Sequence, residues 1–144
     1  MGTHSYKINS QLKEGMKVEA EARGHKIVMD EPKDHGGTDQ GMNPVEITLS
    51  SLAGCLSITA AFLAKKMKVE INDLSVEVEG DIDDEAMTSP DVDSGFKEVR
   101  FNIIIDSDSD EKKIEKLYNS IEKFCPVSDS LKRSIEVKGN YELK

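Results

Sequence analysis

Apolar residues fall on every second position in several short stretches of this chain, and on every third or fourth position in two longer ones. "HSYKINSQL", "MKVEAEA" and "ARGHKIVMDEP" carry the alternation that turns one face of a strand toward a core. A turn at Arg23-Gly24-His25 folds the second of these onto the third, giving an early hairpin or meander. The glycine-rich "KDHGGTDQGMN" reads as a flexible loop. A long helix follows, about Pro44 to Met67, with Leu49, Leu52, Leu56, Leu63 and Met67 on a 3–4 spacing. From Leu52 to Ala64 it is apolar nearly all round, so burial on more than one side is expected. "LSVEVEGDID" and "FKEVRFNIIID" read as two strands bridging an acidic loop, "DDEAMTSPDVDSG". "DSDSDEKKIEKLYNSIEKF" reads as a second helix, with acids at its positive end as the dipole prefers. "PVSDSLKR" reads as a short helical turn and "SIEVKGNYELK" as a closing strand. The order β-β-β-α-β-β-α-β predicts an α+β fold, a curved, mostly antiparallel sheet holding one long buried central helix. One chain has little to wrap around both sides of that helix, so a homodimer is expected.

Composition narrows the function. The chain has 144 residues, the size of one domain (1–144), with no repeat or low-complexity tract. Twenty-eight acids against 19 bases give a formal charge of −9, which disfavours nucleic acid and anionic membrane surfaces as partners. The opening "MGTHSYKINSQLKEG" lacks the apolar core of a secretory signal. The longest apolar run, Leu52 to Ala64, spans about 20 Å as a helix, short of the ~30 Å of a bilayer. A cytoplasmic protein is the expectation, and there two cysteines are more readily catalytic, metal-bound or simply buried than a structural disulfide.

Those cysteines are Cys55, inside the apolar helix, and Cys125, beside a proline in "KFCPVSDSLKR". Cys55 by position alone reads as a small buried hydrophobe. Cys125 differs, because Pro126 pushes the residue before it out of the α region and suits the first position of the next helix. Cys125 would then be that helix's N-cap, where free N–H groups favour a thiolate.

"NPVEITLSSLAGC", then a long helix, then "FCPVSDSL" closely resembles the OsmC/Ohr family (osmotically inducible protein C and organic hydroperoxide resistance protein), over about residues 16 to 143. "HKIVMDEPKDHGGTDQGMNPVE" fits the family's approach to its first cysteine. The resemblance implies an intertwined homodimer with active sites at the interface. It implies that Cys55 reduces an organic hydroperoxide and becomes a sulfenic acid, which Cys125 resolves to a disulfide. It implies no metal, flavin or haem, and an external dithiol reductant of the dihydrolipoamide type used in the Ohr branch. The chain's three His are scattered, which gives a tetrahedral metal site little to build on.

An Arg–Glu pair activates the thiol in the peroxidase branch. The resemblance assigns the Arg to Arg23, which otherwise reads as a solvated turn residue. The Glu should directly follow "NP", where Val45 stands, so the resemblance leaves Glu46, one further on, as the candidate activating carboxylate beside Arg23. Nine residues separate Glu46 from Cys55, half a turn out of phase on a regular helix. Asn43-Pro44-Val45-Glu46 also reads as a capping box. Leu52 and Leu56 are expected to line an apolar substrate pocket suited to organic or lipid hydroperoxides. The acidic loop lacks an EF-hand register, and "HGGTDQG" lacks the Lys and spacing of a phosphate loop. The leading expectation is a thiol-dependent hydroperoxide reductase. The alternative is a non-catalytic relative binding an apolar small molecule or partner in the dimer groove.

Overall fold

The structure, a computed structural model, describes residues 2–144 and is α+β. It divides into two units, one ending at Thr48 and one running Leu49–Lys144.

The first unit is an antiparallel meander of β1 (Asn9–Leu12), β2 (Val18–Ala22) and β3 (His25–Met29). Ala22 pairs with His25, so Arg23 and Gly24 alone make the turn. Their φ values, 53° and 86°, are both positive. That is the type I′ geometry whose twist matches a two-residue hairpin. After β3 the chain passes one 3-10 turn, Lys33–His35, and enters α1 (Pro44–Met67). The loop is not slack. Asp30, only 2% exposed, gathers it from within. Its carboxylate accepts from the backbone amides of Glu31, Thr38 and Gln40 and from the Thr38 hydroxyl. Gly37 and Gly41 are required by close approach. A Cβ at Gly37 would lie 2.0 Å from the Glu31 carbonyl oxygen, and one at Gly41 2.3 Å from that of Val28.

The second unit holds the main core. β4 (Asp73–Asp81) and β5 (Glu98–Asp106) form a nine-residue antiparallel hairpin with strict in–out alternation. The pairs Val76↔Ile103 and Val78↔Phe101 share the core face. On the outer face Arg100 lies among Asp81, Glu98 and Glu79, and its bond to Asp81 draws that carboxyl below the usual range. α2 (Glu111–Phe124) starts at Asp110, whose side chain accepts the Lys113 amide, and buries Leu117 and Ile121. α3 (Pro126–Lys132) follows directly. From α1 the stripe Leu52, Leu56, Ala60 and Ala64 joins this core at every fourth residue.

Three expectations change. The strands form two separate sheets, of three and two strands, rather than one. Residues 134–144 belong to neither sheet: Ile135, Val137, Tyr141 and Leu143 are all exposed. Alternation equips a segment to pair but supplies no partner edge. And α1, although long and apolar enough by length and composition to cross a bilayer, is packed on one stripe and leaves Ile58 and Phe62 open.

Candidate active site

Cys125 ends one helix and begins another. Its backbone is extended (φ −80°, ψ 111°) because Pro126 forbids the α conformation there. The sulfur caps α3, accepting the Ser128 amide at 3.5 Å, and the Cys125 carbonyl accepts from Asp129. The expected N-cap is present, but its electrostatic consequence is reversed. Burial pushes the Cys125 thiol above its ordinary range. The Ser128 amide works against that rise, and the neighbouring Cys55 thiol adds to it. With no exposed surface, the sulfur gains too little from the Ser128 and Val127 amides to offset lost solvation.

Cys55 is half-buried and packs against the same core cluster as Cys125. Its thiol is near enough to Cys125 to help raise it, and both cysteines are free. Two sulfurs 70 positions apart in the sequence therefore meet. The mouth of this pair is an open groove of about 810 Å³ along the outer side of α1. Ile58, Thr59, Phe62 and Lys66 line it from the helix, and Phe124 and Pro126 from the opposite wall. Gly54 lies beside the thiol, and a Cβ there would meet nothing within 4 Å.

The residues expected to serve this pair fall in different places. Leu52 (2% exposed) and Leu56 (0% exposed) are core residues, not groove residues. They sit on the inward stripe of α1, whereas Ile58 and Phe62, at three and seven residues from Cys55, sit on the thiol's side. That i+3/i+7 signal was readable once Cys55 was taken as the origin; Phe124 was marked only by preceding Cys125. Glu46 is engaged in the capping box. Its carboxylate accepts the Asn43 amide at 3.0 Å, while the Asn43 side chain accepts the Glu46 amide at 2.9 Å. Helix α1 is unbroken from Pro44 to Met67, so the half-turn offset between Glu46 and Cys55 stands. Arg23 is exposed at the tip of the β2–β3 hairpin. Asp30 carries no motif of its own in the sequence. The Thr38 hydroxyl, aided by three amides, holds its carboxyl down to about 2 against the opposite pull of burial. A lone Asp ahead of a glycine-rich run was the only hint.

The α+β fold packs two free cysteines into one cluster at the foot of an apolar helix groove. Comparison with known proteins gives the family. Residues 37–140 match the OsmC-like protein family, and the chain belongs to it. It is 30% identical over 112 residues to the organic hydroperoxide resistance protein OhrB of Bacillus subtilis, covering 78% of this chain and 76% of that protein. It is 29% identical over 136 residues to a hydroperoxide reductase of Mycoplasma pneumoniae, covering 94% and 92% respectively. The crystal structure of an OsmC-like protein from Mycoplasma pneumoniae superposes with a TM-score of 0.79 at 27% identity, over 90% of this chain and 88% of that one.

Proposed function

We propose that this chain is a cysteine-based reductase of organic hydroperoxides. One observation carries the reading: the half-buried Cys55 packs in one cluster with the buried Cys125, near enough to raise its thiol, at the base of an apolar groove. The names of the Bacillus and Mycoplasma relatives support it. In the proposed cycle the Cys55 thiolate attacks the terminal oxygen of ROOH. The O–O bond breaks, the alkoxide takes up the proton the Cys55 thiol had released and leaves as ROH, and Cys55 becomes a sulfenic acid. Cys125, giving up its proton, attacks that sulfur and expels water to form the disulfide. An external dithiol restores both thiols by two exchanges and is itself oxidised to a disulfide, so no metal, flavin or haem takes part. Burial of Cys125 keeps the resolving group a thiol until a sulfenate forms beside it.

Arg23 is the cation proposed to favour the Cys55 thiolate, and Glu46 is assigned to the helix cap. We further propose a cytoplasmic homodimer. The unpaired alternating segment 134–144 and the open apolar side chains of α1 give a second copy something to cover. A second reading, a non-catalytic protein binding an apolar molecule in the groove, is favoured by the commitment of Glu46 to the cap.

The test is dithiol-dependent consumption of cumene hydroperoxide by the wild type, Cys55→Ser and Cys125→Ser. Cys55→Ser is expected to abolish turnover. Cys125→Ser is expected to consume one equivalent and retain a sulfenic acid that a dimedone probe captures. Thiols that survive stoichiometric hydroperoxide in the folded wild type would leave only the binding reading.

A further inference from the structure

A second cavity, of about 220 Å³, lies between α3 and the start of β5 and shares no lining residue with the groove at Cys55. We infer that it is a binding site for a compact, neutral arylalkyl alcohol, held through the Ser128 hydroxyl. Leu52 enters the cavity from the inward stripe of α1 and Leu131 from α3. Val99 and Phe101 enter from β5, and Phe96 from the loop before it. The Phe96 ring lies directly on the backbone of β4 at Gly80, where a Cβ would come within 2.6 Å of it. The bare backbone there lets the aromatic wall sit this close.

Ser128 supplies the polar group. It is 4% exposed and lines the cavity. Its amide is spent on the Cys125 sulfur at 3.5 Å, but among the described residues its hydroxyl has no hydrogen-bond partner. No sealed side-chain oxygen among those residues lacks a partner, so this hydroxyl keeps accessible surface, and the cavity is what it opens onto. A hydroxyl so placed gains from a ligand that brings one complementary group. The rim sets the charge of that ligand. Lys97 is paired with Asp83 at 2.7 Å, Glu98 with Arg100 at 2.7 Å, and Lys132 with Glu122 at 3.1 Å. Each rim charge is already answered, so an ionic ligand would give up its hydration with no free counter-charge to meet.

Volume sets the size. An apolar cavity of about 150 Å³ takes benzene, so one of about 220 Å³ takes a molecule of about nine or ten heavy atoms. Phe96 and Phe101 favour an aromatic body, packed offset or edge-on against their rings. One hydroxyl, for Ser128, completes it. Reduction of an arylalkyl hydroperoxide releases a molecule of this class. Under the proposed cycle the occupant is therefore product, held by the residue whose amide caps the Cys125 sulfur. Binding there does not itself depend on turnover.

The experiment titrates 2-phenyl-2-propanol and its isostere tert-butylbenzene into the reduced full chain, wild type and Ser128→Ala, and follows backbone amide shifts by NMR. In the wild type the alcohol is expected to shift Val99, Phe101 and Ser128 saturably. Ser128→Ala should weaken the alcohol about fivefold, the scale of one neutral hydrogen bond, and leave tert-butylbenzene unchanged. Retained binding of the hydrocarbon also certifies the fold of the variant. Equal effects on the two ligands, or none on either, overturn the inference. Shifts confined to residues 58–66 place the alcohol in the groove at Cys55 and overturn it too, as does the absence of saturable binding. The carboxylate analogue 2-methyl-2-phenylpropanoate tests the charge, and tighter binding of it than of the alcohol overturns the neutral class. Failure of the peroxidase reading leaves every one of these readouts in place, because none of them needs turnover.

Discussion

Each unit buries one acidic group, and the two are treated in opposite ways. Asp30 is 2% exposed and Cys125 is 0% exposed, so burial alone should raise both. It raises only Cys125. Asp30 is met by three amides and a hydroxyl, which hold it down to about 2. Cys125 is met by the amides of Ser128, at 3.5 Å, and Val127, and by another thiol. The number and quality of donors, not depth, decide whether a buried acid is fixed as a charge or kept as a proton carrier. Asp30 is locked and holds a loop together. Cys125 is left with its proton, which the proposed cycle has it release once a sulfenic acid forms on Cys55.

The largest expected effect breaks the locked side. Asp30→Ala strands the amides of Glu31, Thr38 and Gln40, and amide exchange at Thr38 and Gln40 should quicken by about a hundredfold. Acid should do the same reversibly. A carboxyl depressed from an ordinary ~3.9 contributes fully above about pH 4 and is lost as pH falls toward 2. Protection factors at these amides, measured against intrinsic exchange, that stay flat from pH 4 to 2 would contradict the locked charge.

A smaller effect probes the proton carrier. With its thiol raised by burial, Cys125 should close on a Cys55 sulfenate faster as pH rises, by up to about tenfold per unit, and should keep accelerating past ~8.5. Stopped-flow measurement of disulfide closure reads this directly, and a plateau below pH 8 would place Cys125 with ordinary thiols.

The smallest effect contrasts two glycines. Gly54→Ala adds a methyl into open space on a helix and should stabilise the protein by about 0.5–1 kcal/mol in chemical denaturation. Gly37→Ala must displace the Glu31 carbonyl and should destabilise it. A stabilising Gly37→Ala would mean the clasped loop yields easily.

The legible parts of this molecule were those governed by neighbours in sequence. The Asn43–Glu46 capping box, the extended Cys125 forced by Pro126, and the alternation of β4 and β5 are all local rules, and all appear in the structure. The Asp30 clasp escaped notice because its partners are one, eight and ten residues away in a stretch whose composition suggests slackness. Leu52 and Leu56 were assigned to the wrong side of α1 because a helix apolar all round does not announce which stripe faces the sheet. The segment 134–144 has the right rhythm for a strand, but pairing needs an edge, and an edge is not encoded in the segment itself. That the sulfurs meet was implied by family resemblance, not by any spacing between positions 55 and 125.

The hairpin tip has a consequence for anyone mutating it. Arg23 stands with φ at 53°, a handedness in which L-residues other than Asn, Asp or Gly are strained by about 1–2 kcal/mol. Alanine there deletes the guanidinium but keeps the strain, whereas glycine deletes it and relaxes the bend. A pair of variants, Arg23→Ala and Arg23→Gly, thus separates what the side chain does from what the bend demands, a distinction either substitution alone would blur.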